Sequence, residues 1–144
     1  YFNSGSAGDL DHVTVGYAGA RDSAIPYNTG VEIFSDDVAL SHMAIHDTKG
    51  TGVYAGSGVT LTDSTVVESS GYPLRIPLVD VSASLVTGSA FSGNAPDAIL
   101  VVGTTLTGTH VWVPWVGDYP IHVDSVLVSA GASLTLPAGA NYRV

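Results

Sequence analysis

Five stretches of the chain carry an apolar residue followed by a second apolar residue five positions later. The five pairs are Leu10 and Val15, Leu40 and Ile45, Leu61 and Val66, Val86 and Phe91, and Leu106 and Val111. Their first members lie 30, 21, 25 and 20 residues apart. A spacing near twenty residues, with short segments rich in β-branched residues, is typical of a solenoid. The pattern therefore predicts repeated coils of short strands.

Positions within a repeat are counted here from its first apolar residue. The second and third repeats share an acid at plus seven, a glycine at plus ten and an apolar residue at plus thirteen, namely Asp47 and Glu68, Gly50 and Gly71, and Val53 and Leu74. The residue pattern of each unit predicts a strand, a tight bend, a second strand, a glycine-rich corner and a third strand. No helical period persists beyond two turns of a helix.

These offsets predict two stacked, inward-facing rows. The first row is Leu40, Leu61, Val86 and Leu106, and the second is Ile45, Val66, Phe91 and Val111. The 144 residues, at roughly twenty-one per turn, predict about six or seven rungs. We expect a single all-β domain over residues 1–144, which is a module or fragment of a larger protein.

Composition and charge limit the range of functions that the chain can have. Apolar residues make up 45% of the chain, and the net charge is −9 with only four basic residues, so binding to phosphate backbones is disfavoured. No apolar run is long enough for a membrane-spanning helix. Without cysteine there is neither a disulfide framework nor thiolate chemistry. Because obvious polar caps are missing at the ends, exposed strand edges would allow end-to-end or edge association.

Two segments carry a family resemblance. The stretch Leu10-Asp-His-Val-Thr-Val-Gly-Tyr-Ala-Gly and the stretch Val128-Ser-Ala-Gly-Ala-Ser-Leu-Thr-Leu-Pro-Ala-Gly resemble rungs of the right-handed parallel β-helix of bacterial secreted and surface proteins. The resemblance covers most of residues 9–144 and implies an extracellular or cell-surface protein. Pectin-active enzymes, phage tailspikes, adhesins and autotransporter passengers share this architecture, so it leaves the activity open.

Such helices often stack asparagine at an internal turn, and this chain departs from that habit. Its four asparagines, Asn3, Asn28, Asn94 and Asn141, do not form a column. The plus-two column instead reads His12, His42, Asp63, Gly88 and Gly108. We therefore expect imidazole, carboxylate or water to satisfy the polar backbone groups at these turns.

The plus-two column is also the sharpest candidate for chemistry. Neighbouring rungs of a parallel stack lie about 4.8 Å apart, so His42 and Asp63 are expected to hydrogen-bond. A histidine beside a carboxylate can act as a base or bind a metal ion. The simpler interpretation is a turn ladder in which Asp63 only orients His42.

The plus-seven column places Asp47 and Glu68 one rung apart, with His46 directly before Asp47. Stacked carboxylates repel each other unless a cation or proton lies between them. Lyases that this fold resembles use calcium with carboxylates and a basic residue, so calcium is left open. Two solvated acids on a turn are the simpler interpretation, and the sequence commits to no metal site and no cofactor.

A third candidate is aromatic. Trp112, Trp115 and Tyr119 interrupt the repeat and could form a platform for a sugar ring, or else pack against the end of the core. We expect a secreted or surface-exposed structural or adhesive module whose partner is a polysaccharide or another surface. The alternative is a polysaccharide lyase or glycoside hydrolase acting along the helix face through His42, Asp63, Asp47 and Glu68. The sequence leaves the question of catalysis open and leans against it.

Overall fold

The computed structural model describes residues 1–19, 28–103, 105–112, 119–139 and 141–143, without the side chains of residues 80, 82 and 83. The described chain is an all-β parallel solenoid, as predicted, with one short 3₁₀ helix at Leu78–Ala83. The strands in chain order are β1 (Gly8–Asp11), β2 (Thr14–Gly16), β3 (Thr29–Ile33), β4 (Val38–Ser41), β5 (Ala44–His46), β6 (Thr51–Ala55), β7 (Thr60–Thr62), β8 (Thr65–Val67), β9 (Leu74–Pro77), β10 (Leu85–Thr87), β11 (Ala90–Ser92), β12 (Ile99–Val102), β13 (Thr105–Leu106), β14 (Thr109–Val111), β15 (Ile121–Val123), β16 (Leu127–Val128), β17 (Ser133–Thr135) and β18 (Tyr142–Arg143).

Three sheets form the faces of the solenoid, and every strand pair is parallel. The first sheet has the order β1-β4-β7-β10, and the second has the order β2-β5-β8-β11. The third sheet is the longest, with the order β3-β6-β9-β12-β15-β18. Strand β13 pairs with β16, and β14 pairs with β17. Each turn of the chain thus gives one strand to each face.

The number of turns paired on all three faces is lower than the six or seven rungs predicted. About four turns, from β1 to β12, are paired strand by strand on all three faces. The connections use more residues than an even repeat allows, because Gly16 and Thr29 bound one long connection and the 3₁₀ helix fills another. Dividing the chain length by a constant repeat length therefore overestimates the number of fully paired turns.

The core consists of rows that run along the solenoid axis. Leu10, Leu40, Leu61 and Val86 are register partners in the first sheet, and Val15, Ile45, Val66 and Phe91 are register partners in the second. The third row is Val31, Val53, Leu74, Ile99, Ile121 and Tyr142. The plus-five and plus-thirteen offsets are thereby confirmed for these turns. Leu106 is also buried, with Val128 as its partner in the next turn.

The predicted inward orientation of Val111 is wrong. Its side chain is 54% exposed, whereas the neighbouring His110 on β14 is half-buried and pairs with Leu134. Strand β14 begins at plus three, while the equivalent strands of the preceding turns begin at plus four. Because side chains alternate along a strand, a shift of one residue turns the opposite set of side chains inward.

The corner backbone is satisfied from inside the solenoid, and not by the imidazoles and carboxylates that the sequence suggested. The amide of Met43 donates to Ser64 Oγ at 3.0 Å, and the amide of Ser64 donates to Ser89 Oγ at 3.2 Å. Asn94 does the same at the second corner, where its Oδ1 accepts the amide of Ser69 at 3.0 Å. Each bond joins one turn to the next, so short polar side chains replace the missing asparagine ladder.

The third corner contains glycine because the backbones of adjacent turns lie too close together there for a side chain. A Cβ atom at Gly71 would lie 2.9 Å from the carbonyl carbon of Gly50, its counterpart one turn earlier. No side chain fits in that space without a shift of the backbone. The glycine at plus ten is therefore a packing requirement of the stack.

We expect Val66→Asp to destabilise the fold strongly. Val66 is fully buried in the middle of the second row, and an aspartate there would bury an unpaired charge at a cost of at least about 3 kcal/mol. Thr65→Asp places the same group on the exposed side of the same strand and should cost less than about 0.5 kcal/mol. Urea unfolding gives both values. Equal stability of the two variants would contradict the register.

The Asp97 carboxylate closes the second corner of the fourth turn. It accepts hydrogen bonds from the amides of Gly93 and Asn94 at 2.9 and 2.7 Å and from the Asn94 side chain at 2.9 Å. Desolvation by burial raises the pKa of Asp97, but the hydrogen bonds from Asn94 and Gly93 outweigh it and leave the pKa below its ordinary value.

This lowered pKa gives a pH-dependent contribution to stability. A carboxylate whose pKa is lower in the folded state stabilises the fold above its unfolded pKa of about 3.9, and loses that effect as the pH falls through the folded pKa. Asp97→Asn should therefore be less stable than the parent chain at pH 7, and the gap should shrink below pH 3.9. Thermal melts across this range measure it, with the exposed Asp9→Asn as control. A gap for Asp97→Asn that is independent of pH would contradict the assignment.

Candidate functional site

Two corners of the solenoid hold non-glycine residues in the left-handed backbone region. At plus two, φ is positive at His12, His42 and Asp63, and then at Gly88 and Gly108. At plus seven, φ is positive at Tyr17, Asp47 and Glu68, and then at Gly93. Such a conformation costs an L-residue about 1–2 kcal/mol, and only histidine, asparagine and aspartate are enriched in it. The side chains at both corners point outward in vertical columns.

The first corner brings His42 to a different carboxylate from the one predicted. His42 Nδ1 lies 2.7 Å from Oδ1 of Asp11, on the preceding turn. The Asp63 carboxylate points in the opposite direction, toward Gly88 on the next turn. It occupies the space that a side chain at Gly88 would fill, because a Cβ atom built on Gly88 would lie 2.1 Å from Asp63 Oδ1. The proposed His42–Asp63 pair is therefore replaced by a His42–Asp11 pair.

Asp11 is the centre of this corner. Its two oxygens accept hydrogen bonds from Ser41 Oγ at 2.7 Å, from His42 Nδ1 at 2.7 Å and from His12 Nδ1 at 2.8 Å. The hydrogen bond from Ser41, followed by those from His42 and His12, holds the pKa of Asp11 far below its usual range. The two imidazole rings stack with centroids 4.4 Å apart and planes 16° apart.

The second corner places Asp47 and Glu68 in adjacent turns, as the repeat predicted. The Asp47 amide donates to the carbonyl of Val67, the residue before Glu68, at 3.3 Å. His46 Nδ1 lies 2.8 Å from Asp47 Oδ2, and the His46 ring packs edge-on against Tyr17 at 5.6 Å. The corner is thus an acidic column with one imidazole attached. Calcium at this corner, which the sequence left open, is not tested by this geometry.

The aromatic candidates separate. Trp112 is 3% exposed and packs against Tyr142 with ring centroids 5.5 Å apart, so its ring is not presented to solvent. The Tyr119 ring packs at 4.7 Å from Phe91, and its hydroxyl accepts the Phe91 amide at 3.2 Å. Trp115 lies outside the described residues. The two described rings pack against the body of the solenoid, which is the alternative that the sequence left open.

The outer side of the third sheet holds a basic and aromatic row that the sequence analysis missed. Register partners along it are Glu32, Tyr54, Arg75, Leu100, His122 and Arg143. The Arg75 guanidinium lies 4.8 Å from the centre of the Tyr54 ring, close enough for a cation–π contact. Two of the four basic side chains of the chain are therefore on one face.

A shallow cavity of about 340 Å³ opens in the C-terminal part of this row, and it is called the third-face groove below. Its lining residues are Tyr72, Leu100, His122, Val123, Asp124 and Arg143. The Tyr72 hydroxyl lies 3.1 Å from His122 Nδ1, and the two rings meet edge to face at 5.6 Å. This contact fixes both rings in one wall of the groove.

The sequence feature that could have predicted this row is the residue at plus fourteen of each repeat. Each third-sheet strand places an inward apolar residue at plus thirteen, so the following residue must face outward. That rule gives Tyr54, Arg75 and Leu100 directly from the second, third and fourth repeats. His122 and Arg143 are harder to find, because the repeat is interrupted before them.

No protein-family model matches the chain, and no curated protein or solved structure is detectably similar to it. No helix in the described part of the chain has the length and apolarity needed to cross a membrane.

Proposed function

We propose that the chain is a structural and adhesive β-helix module, secreted or displayed at a cell surface, which binds a polysaccharide carrying carboxylate groups. The observation that supports it is the third-face groove, where an arginine, a histidine and a tyrosine converge on an otherwise acidic protein. Arginine recognises carboxylates through two parallel N–H···O bonds, and tyrosine rings pack against the apolar faces of sugars.

The shape of the face suits an extended polymer. The outer row continues through consecutive strands about 4.8 Å apart, so Arg75 and Arg143 are separated by three strand spacings, or about 14 Å. A chain lying along the solenoid axis can follow this row from Arg75 past the His122 ring to Arg143. Asp124 at the edge of the groove can accept hydrogen bonds from sugar hydroxyls.

The spacing of the basic groups argues against nucleic acid as the partner. Duplex DNA carries one negative charge per about 1.7 Å, and a protein with net charge −9 repels so dense a polyanion. Two arginines on strands three spacings apart suit a polymer whose charges are less dense than those of DNA. A polysaccharide with no more than one carboxylate per sugar has this property.

The lyase or hydrolase alternative has less support in the geometry. His42 and Asp63 belong to the first corner, whereas Asp47 and Glu68 belong to the second, and a three-residue strand of about 10 Å lies between the corners. The four side chains are therefore not gathered around one bond of a substrate. An enzyme would depend on such groups, since general acid–base catalysis contributes about 10²–10⁴-fold in rate.

Binding to polygalacturonate and alginate, with neutral dextran as the uncharged polymer, tests the proposal by calorimetry. We expect binding to the two acidic polymers, and Arg143→Gln should weaken it about tenfold because it removes a hydrogen bond to a charged group. Lys49→Gln is the matched control, since it removes one exposed positive charge away from the groove. Equal losses in both variants, or no binding to any acidic polymer, would contradict the proposal.

The same samples discriminate between a binder and an enzyme. We expect no shortening of either acidic polymer by the purified chain over the course of the titration. Chain cleavage that Asp47→Asn or His42→Asn abolishes would replace the binding proposal with the lyase or hydrolase alternative.

End-to-end association also stays a prediction, and the exposed side chains of Leu127, Val128 and Leu136 are consistent with it.

A further inference from the structure

The first corner gathers two imidazoles and a carboxylate from adjacent turns. Asp11, His12 and His42 each offer one ligand atom, and these atoms lie within 4.8 Å of one another. All three side chains are exposed, so an ion can reach them from solvent. This cluster lies on a different part of the solenoid from the third-face groove and shares no residue with it.

The corner does not need histidine for its own stability. In the fourth and fifth turns the same plus-two position is Gly88 and Gly108, the residue type that adopts positive φ without strain. His12 and His42 hold the same conformation with a side chain, which aligns their rings face to face. Residues held in strained backbone conformations cluster at functional sites, and here the strain places two imidazoles side by side.

The surroundings of the cluster match those of a metal ligand set. Ser41 donates to Asp11 Oδ1 at 2.7 Å and so fixes the orientation of the carboxylate. His12 Nδ1 and His42 Nδ1 both face the Asp11 carboxylate, at 2.8 and 2.7 Å, so an ion bound between the three groups would take the place of these two hydrogen bonds. Each imidazole can present the lone pair of Nδ1 to the ion and carry its proton on Nε2.

We infer that Asp11, His12 and His42 form a binding site for one divalent transition-metal ion of the Zn²⁺ or Ni²⁺ type, with water completing the coordination. Imidazole nitrogen suits zinc, copper and nickel, whereas calcium and magnesium prefer all-oxygen sites. Three protein ligands and an open position are usual for zinc sites that remain accessible to solvent. The net charge of −9 also favours attraction of a cation.

Calorimetric titration of the chelator-treated full chain with Zn²⁺, Ni²⁺ and Ca²⁺ tests the inference. We expect one Zn²⁺ or Ni²⁺ ion per chain and no Ca²⁺ at the same concentrations. His12→Asn and His42→Asn should each weaken binding at least tenfold, and the double variant should abolish it. Asparagine tolerates positive φ, so these variants keep the corner conformation. His110→Asn, which removes a histidine from another face, is the matched control.

A second measurement uses the unmodified chain and so does not depend on how the variants fold. Diethyl pyrocarbonate labels exposed imidazoles, and peptide mapping locates the label. We expect Zn²⁺ to protect His12 and His42 several-fold while labelling of His110 stays unchanged. Unaltered labelling with saturating Zn²⁺, metal affinity that survives in the double variant, or an equal loss in His110→Asn would overturn the inference. Because polysaccharide binding is measured separately with Arg143→Gln, failure of either proposal leaves the other intact.

Discussion

The structure depends on hydrogen-bond acceptors for the backbone amides that follow its left-handed corners. A parallel coil turns sharply between short strands, and an amide buried at such a turn must find an acceptor or lose about 1–3 kcal/mol. The acceptor here is a side chain of the next turn, which is Ser64 for Met43, Ser89 for Ser64 and Asn94 for Ser69. These bonds run along the solenoid axis, as the strand pairing does, so each of these three corners is supported by the turn that follows it.

Because the corners are satisfied from inside, their outward side chains are free for other tasks. His12 and His42 make no contribution to the internal ladder, yet the repeat places them one above the other beside Asp11. The outer row of the third sheet arises in the same way, since residues that follow inward apolar positions stack on the opposite side. Repetition of the backbone therefore creates columns of side chains, and the chemistry of each column depends on a few substitutions.

The sequence predicted the parts of the fold that depend on apolar spacing. The plus-five and plus-thirteen rows are inward wherever the repeat is regular, because burial of a valine or leucine sets the register of a strand. The pattern failed at Val111, where one strand begins a residue earlier than its counterparts and the Val111 side chain turns outward. Serine and asparagine at the internal corners were overlooked because a mixed polar column has no single-residue signature.

The candidate sites were predictable only in part. The plus-two column correctly brought His12 and His42 together, but the partner carboxylate is at plus one of the preceding turn, in Asp11. Which direction a corner side chain leans depends on its neighbours, and the space above Gly88 lets Asp63 lean away from His42. Arg143 and His122 became neighbours through a turn whose length the repeat does not give.

Native-state amide hydrogen exchange tests the central claim most directly. If side chains of the next turn hold the corners, the amides of Met43, Ser64 and Ser69 should be protected to the same degree as the strand amide of Val53. Asn94→Ala should then accelerate exchange at Ser69 while leaving Met43 unchanged. Exchange of the three corner amides at the rate of exposed loops in the parent chain, or a uniform acceleration in Asn94→Ala, would contradict the account.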